Sequence, residues 1–251
     1  MISTTDNISI RVRFFIKDLL PPFLFRLLKK IKQKNTKYYG LNKLDEKIEK
    51  YLNYENGFFV ELGANDGITQ FNTKYFERYK NWKGILIEPS PNNYLLCREN
   101  RSSKTNIFCN ACTSFEYKDK FVEIAYSNLM SSPIGLESDL ENPFMNAMNG
   151  KKFLSATENI FTFGAIATTL NNLLVKGNAP NTIDLLSLDV EGAEIEVLKG
   201  IDHNKFRFKI LCIESRDKEK LISFLQDYDY QLLEQISNHD YLFRDARNYK
   251  Q

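Results

Sequence analysis

The chain has 251 residues, 43% apolar and 26% charged, with a net charge of only +2. This suits one α/β domain with an appendage and a sizeable core. The charge is uneven: residues 10–34 carry eight Lys/Arg against Asp18 alone, leaving 26 basic and 31 acidic residues elsewhere. The globular part is thus mildly acidic, which disfavours non-specific nucleic-acid binding there.

Residues 1–40 form the appendage. After Pro21-Pro22, the apolar residues Phe23, Leu24, Leu27, Leu28 and Ile31 fall on one helical face. Arg26, Lys29, Lys30 and Gln33 fall on the other. The run is too short and too charged to span a bilayer. A basic amphipathic helix can lie on an anionic membrane, each basic group adding about 1 kcal/mol. Its apolar face can equally dock on the domain or on a second subunit. Peripheral membrane contact through residues 10–34 and a homodimer both stay open. Lys17 and the proline pair interrupt the early apolar residues, which argues against a secretory signal. A cytoplasmic protein is expected, at the inner membrane face if the helix binds lipid.

Residues 41–251 make up the main domain. A helix over 45–54 precedes a strand at 58–62. A helix around 70–80, a strand at 84–88 and a helix near 91–100 follow, then extended pieces at 105–112 and 120–126. Residues 127–166 hold scattered aromatics with Pro133, Gly135, Pro143 and Gly150, and read as an irregular insertion of the lid or acceptor-surface kind. Regular structure resumes with a helix near 168–176, a strand at 183–189, a helix at 193–199, a strand at 208–214 and a helix near 217–227. Strands at 230–236 and 240–244 are close enough for a hairpin. The alternation predicts a mostly parallel sheet with helices on both faces and one antiparallel edge strand.

Of the four cysteines, Cys109 and Cys112 form a lone C-x-x-C. With no second pair and only His203 and His239 to complete a zinc set, burial as small hydrophobes is the expected role. Both histidines read as surface or packing residues.

The most informative stretch is Phe58-Phe59-Val60-Glu61-Leu62-Gly63-Ala64-Asn65-Asp66-Gly67. An apolar strand ends in an acid, and two glycines bracket a polar turn that a ligand can approach closely. The spacing is G-x-x-x-G, and Glu61 and Asp66 place negative charge where a pyrophosphate would sit. The turn therefore suits a ligand with an ammonium and a sulfonium, S-adenosylmethionine rather than NAD. Glu61, Glu88, Asp189 and Glu214 each end a strand, so all four face the crevice beyond the carboxyl edge of the sheet. Glu88 can accept from two ribose hydroxyls. In Asp189-Val190-Glu191-Gly192-Ala193-Glu194, Asp189 and Glu191 can hold an acceptor hydroxyl, take its proton or bind a divalent cation. Glu194 reads as a first-turn helix acid.

With these motifs in this order, the chain resembles the FkbM-type S-adenosylmethionine-dependent methyltransferases. The likeness rests on Val60 to Gly67, Leu86-Ile87-Glu88-Pro89, Asn110-Ala111 and Ser187 to Glu194, within about residues 57–244. It implies the class I methyltransferase fold, a Rossmann-like seven-stranded sheet. It implies that Glu61, Gly63, Asn65 and Gly67 hold the methionine part of the cofactor, with Asp66 of the same turn also cofactor-binding, Glu88 the ribose, and Asn110-Ala111 the adenine. Asp189 and Glu191, with Glu214 assisting, would face the methyl-transfer centre as base or as ligands of a cation such as Mg. Family members mostly methylate hydroxyls, commonly on sugars, and the expected role is in bacterial surface-polysaccharide or glycan biosynthesis. Methylation of another small molecule or of protein, and a non-catalytic scaffold, are the alternatives.

Overall fold

A computed structural model describes residues 36–154 and 158–249. The expected helix of residues 10–34 lies outside the described residues. Among those described, no helix is long and apolar enough to cross a membrane.

The first half of the main sheet comes from β1 (Phe58–Leu62), β2 (Lys83–Ile87) and β3 (Asn106–Phe108). The second half comes from β8 (Thr182–Leu188), β9 (Arg207–Glu214), β10 (Tyr230–Gln235) and β11 (Asp240–Asp245). Their order is β10-β11-β9-β8-β1-β2-β3. The β1–β2, β2–β3, β1–β8 and β8–β9 pairings are parallel. Hairpin strand β11 runs antiparallel to both its neighbours, β9 and β10. It therefore lies one place in from the edge, and β10 takes the edge itself.

Central strands are mostly apolar because both faces are covered, with Glu61 of β1 and Asp184 of β8 as buried exceptions. Successive side chains point to opposite faces. Val60, Leu62, Ile85, Leu186 and Leu211 pack into one core with α5 (Leu170–Lys176), α6 (Glu194–Leu198) and α7 (Lys218–Gln226). Phe59, Leu86, Leu185 and Ile210 pack into the other with α1 (Leu44–Glu49), α2 (Lys74–Tyr79) and Cys97 of α3 (Pro91–Asn100). Cys112 and Cys212 are buried as well, so the cysteines behave as packing residues.

The expected strand over 105–112 is two strands. The chain leaves the main sheet after β3, and β4 (Ala111–Thr113) enters a second sheet of order β4-β7-β5-β6. This sheet also contains β5 (Phe121–Tyr126), β6 (Ser132–Ile134) and β7 (Phe161–Thr169). The stretch 127–166 is thus more regular than its composition suggests, holding β6, the helix α4 (Pro143–Asn149) and the first half of β7. Backbone pairing with β5 supplies order that no local pattern announces. A small core of Ala111, Val122, Ile124 and Ala165 seals the layer.

Chain order reverses between β1 and β8: β2 and β3 lie on one side, β9 on the other. At such a switch point the connections diverge and leave a crevice beyond the strand ends.

Candidate active site

Two turns meet at that crevice. After β1 the chain turns through Gly63 and Gly67, both with φ near +80°. A Cβ on Gly63 would lie 2.0 Å from the carbonyl oxygen of Asp189, just past β8. Only glycine allows the two strand ends to come this close.

Glu61 lies beneath the turn. It is buried, accepting from the Asn72 amide at 3.0 Å and from the Thr73 hydroxyl, with the guanidinium of Arg101 at 3.9 Å. Arg101 is itself fully buried. It donates to Thr73 Oγ1 (2.8 Å), to the Gly67 carbonyl (3.4 Å) and to Glu77 (3.1 Å). Asp66 folds back on its own loop, accepting from the Ile68 amide (2.9 Å) and from the Thr69 amide and hydroxyl (2.7 and 2.8 Å). These two acids shape the turn from within. Their carboxylates are committed to protein donors.

Glu88 follows β2 and is held differently. One oxygen accepts from the Asn65 amide (2.7 Å), the other from the Ser90 amide (2.9 Å), just before Pro91 opens α3. Burial outweighs these bonds and pushes its pKa up to about 7. Asn65 reaches the second sheet through Asn128 (3.1 Å). Asn110 stands where the chain changes sheets, its side chain donating to the Ile166 carbonyl at 3.2 Å, and Ala111 is buried beside it.

The second turn carries the remaining acids. Asp189 is exposed along the crevice, while surrounding protein raises its pKa by desolvation. Glu214, at the end of β9, rises to about 10, mainly through the charge of Asp189. Glu191 rises to about 7, first from burial and then from Asp189. Arg216 partly offsets the repulsion. Its Nη2 lies 3.1 Å from Glu191 and 3.4 Å from Glu214, and its amide donates to Asp139 at 2.6 Å. Glu194, expected only as a helix-start acid, accepts from the Val190 and Gly192 amides (2.9 and 3.2 Å) and so shapes the loop that presents Asp189 and Glu191.

The structure thus brings Asp189, Glu191 and Glu214 together and sets Glu88 beyond the neighbouring strand ends. No hydrogen bond or ion pair links either histidine side chain to this cluster among the described residues, although the His239 carbonyl accepts from the Ser215 amide at 2.8 Å. His203 is buried against Tyr228 with Nε2 on the Leu198 carbonyl, and His239 is exposed. Sequence reasoning missed Arg101, Asn128 and Asn146. It also passed over Arg216, although a cation two residues after Glu214 was a legible hint.

The acids do not fit the expected divalent cation. Among the described residues, no group of three or more His, Cys, Asp or Glu side chains could hold a metal ion. Arg216 already takes the charge-neutralising place between Glu191 and Glu214.

A seven-stranded sheet in this order, with a glycine turn after its first strand and an acid after its second, defines a class I methyltransferase. The chain belongs to the FkbM methyltransferase family, whose domain matches residues 61–232. It is an S-adenosylmethionine-dependent methyltransferase. Among solved structures, it is similar to a methyltransferase from Geobacter sulfurreducens at 12% identity and a TM-score of 0.41, over 94% of this chain and 95% of that one. A SAM-dependent methyltransferase from Aquifex aeolicus gives 11% identity and a TM-score of 0.37, over 86% and 95%. The METTL16 methyltransferase domain gives 11% and 0.40 over 79% of this chain, which spans 63% of that domain. No curated protein matches the chain.

Proposed function

We propose that the protein transfers a methyl group to a hydroxyl of a sugar, in the assembly of a bacterial surface polysaccharide or related glycan. The observation that carries this reading is Asp189, an exposed residue just past β8 whose carboxyl is backed by Glu214 and Glu191. Carboxylates arrayed this way accept hydrogen bonds from hydroxyls, and a sugar offers several.

The residues present fit the cofactor. Glu88 would accept from the ribose hydroxyls, its carboxylate lying just past β2 and oriented by the Asn65 and Ser90 amides and the Asn93 side chain. The turn from Gly63 to Gly67 and Asn65 would hold the methionine end, and Asn110-Ala111 would border the adenine. When bound, the cofactor supplies an electrophilic methyl group on a sulfonium. Asp189 orients the acceptor hydroxyl and takes its proton. Glu214, neutral at pH 7 beside Asp189, hydrogen-bonds to it and keeps it ionised. Holding the reactants in line contributes about 7–11 kcal/mol.

Calorimetric titration with S-adenosylmethionine, S-adenosylhomocysteine and NAD tests the first half. Binding of NAD instead of S-adenosylmethionine and S-adenosylhomocysteine would overturn it. A methyl-transfer screen against bacterial glycans tests the second. In that screen Asp189→Ala should lower turnover by about 10²–10⁴-fold, the usual contribution of a general base. Its S-adenosylhomocysteine affinity should stay within a few-fold, and retained turnover would remove Asp189 from the chemistry.

A further inference from the structure

Glu191 sits in an unusual backbone position, with φ +54°, in the left-handed region that non-glycine residues seldom adopt. Its side-chain direction is therefore set by what grips it. Two donors converge on one oxygen: Asn146 Nδ2 at 3.0 Å and Arg216 Nη2 at 3.1 Å both reach Oε2. Oε1 has no hydrogen-bond partner among the described residues.

The two donors come from different layers. Arg216 follows β9 of the main sheet. Asn146 lies on α4, which packs on the second sheet, and the same Nδ2 also donates to Ser132 of β6 at 3.0 Å. Asn146 thus uses its two amide hydrogens to join β6 to the loop after β8. The other groups facing Glu191 are Asp189 from β8 and Glu214 from β9. Asp139 and Glu194 act on its partner Arg216. Among these groups, Asn146 is the neutral donor, so it can fix the direction of the carboxylate without cancelling its charge.

We propose that Asn146 is a positioning residue for methyl transfer, holding Glu191 by Oε2 so that Oε1 faces the acceptor. This rests on the function proposed above. It gives α4 a task that its sequence, Pro-Phe-Met-Asn-Ala-Met-Asn, does not announce.

The test compares full-length wild type with Asn146→Ala and Asn146→Asp. Affinity for S-adenosylhomocysteine should stay within about two-fold in both variants, because Asn146 bonds to Ser132 and Glu191, away from Glu88 and the glycine turn. Failure of the wild type to bind that product would strike the proposed function and leave the Asn146–Glu191 contact to be judged separately. On the glycan that wild type methylates, Asn146→Ala should keep the acceptor KM within about three-fold while kcat falls about 10–100-fold. Asn146→Asp should fall at least as far, because a further carboxylate then faces Glu191. If no glycan turns over, the side-chain amide of Asn146, followed by ¹⁵N NMR, carries the test: Glu191→Ala should move its proton resonance upfield. An unmoved resonance overturns the inference. So does an unchanged kcat in Asn146→Ala, or kcat and cofactor affinity falling together.

Discussion

Arg101→Met is expected to destabilise the protein by about 3–5 kcal/mol, the usual loss when one partner of a buried ion pair is removed. For a chain of this size that corresponds to a fall in melting temperature of about 6–20 °C. The side chain of Arg101 is fully buried and faces Glu61 and Glu77, both nearly buried. Methionine fills much of the same volume but leaves both carboxylates without their guanidinium. Glu77 keeps Lys74, whereas Glu61 keeps no cation, its remaining partners being the Asn72 and Thr73 amides and the Thr73 hydroxyl. Burial already raises the pKa of Glu61, and Arg101 is the main influence opposing that rise. The bond to the Gly67 carbonyl goes as well, so the glycine turn should loosen along with the core. Arg101→Lys keeps the charge but not the planar fork and should lose less. Thermal melts followed by circular dichroism measure this directly. A loss under about 1 kcal/mol, the scale of an exposed pair, would show that the network is not built as described.

Glu88 governs the second large effect. Its carboxylate should accept from both ribose hydroxyls only when ionised, and burial has moved its pKa to about 7. Binding that requires the ionised form pulls a proton off below that value, so affinity falls as the pH drops through about 7. Between pH 8 and pH 6 the S-adenosylhomocysteine Kd should rise about ten-fold, as one titrating group near neutrality dictates. Glu88→Gln keeps the shape, turns one acceptor into a donor, and should weaken binding about 10–100-fold, in line with 1.5–3 kcal/mol for a charged hydrogen bond. The variant should also lose the pH dependence. Calorimetry at several pH values separates the two effects. A wild-type Kd that stays flat from pH 6 to 8 would remove Glu88 as the ribose acceptor or show it already ionised.

Much of this was legible along the chain. The strands at 58–62, 182–188 and 207–214 appear close to where their apolar runs place them, because a strand covered on both faces is predominantly apolar. The acids at strand ends were legible for the related reason that a charge terminating such a run has to meet solvent, ligand or a partner. Partners were harder to read. Arg101 and Asn146 carry no local signature, since what makes each important is a residue 40 or 45 positions away in the chain. The second sheet was hidden likewise: β4 and β7 pair across more than fifty residues.

The linear order of residues determined the layered sheet, the glycine turn and the collection of carboxylates on one edge, because periodicity and turn chemistry act over a few neighbours. Tertiary structure alone decided which carboxylates face the crevice. Glu61 and Asp66 are drawn inward by Arg101, Thr73 and their own loop amides, while Asp189 stays exposed just past β8. The physical reason is that a buried charge is defined by its partners, and those are supplied by distant segments only once the chain has folded.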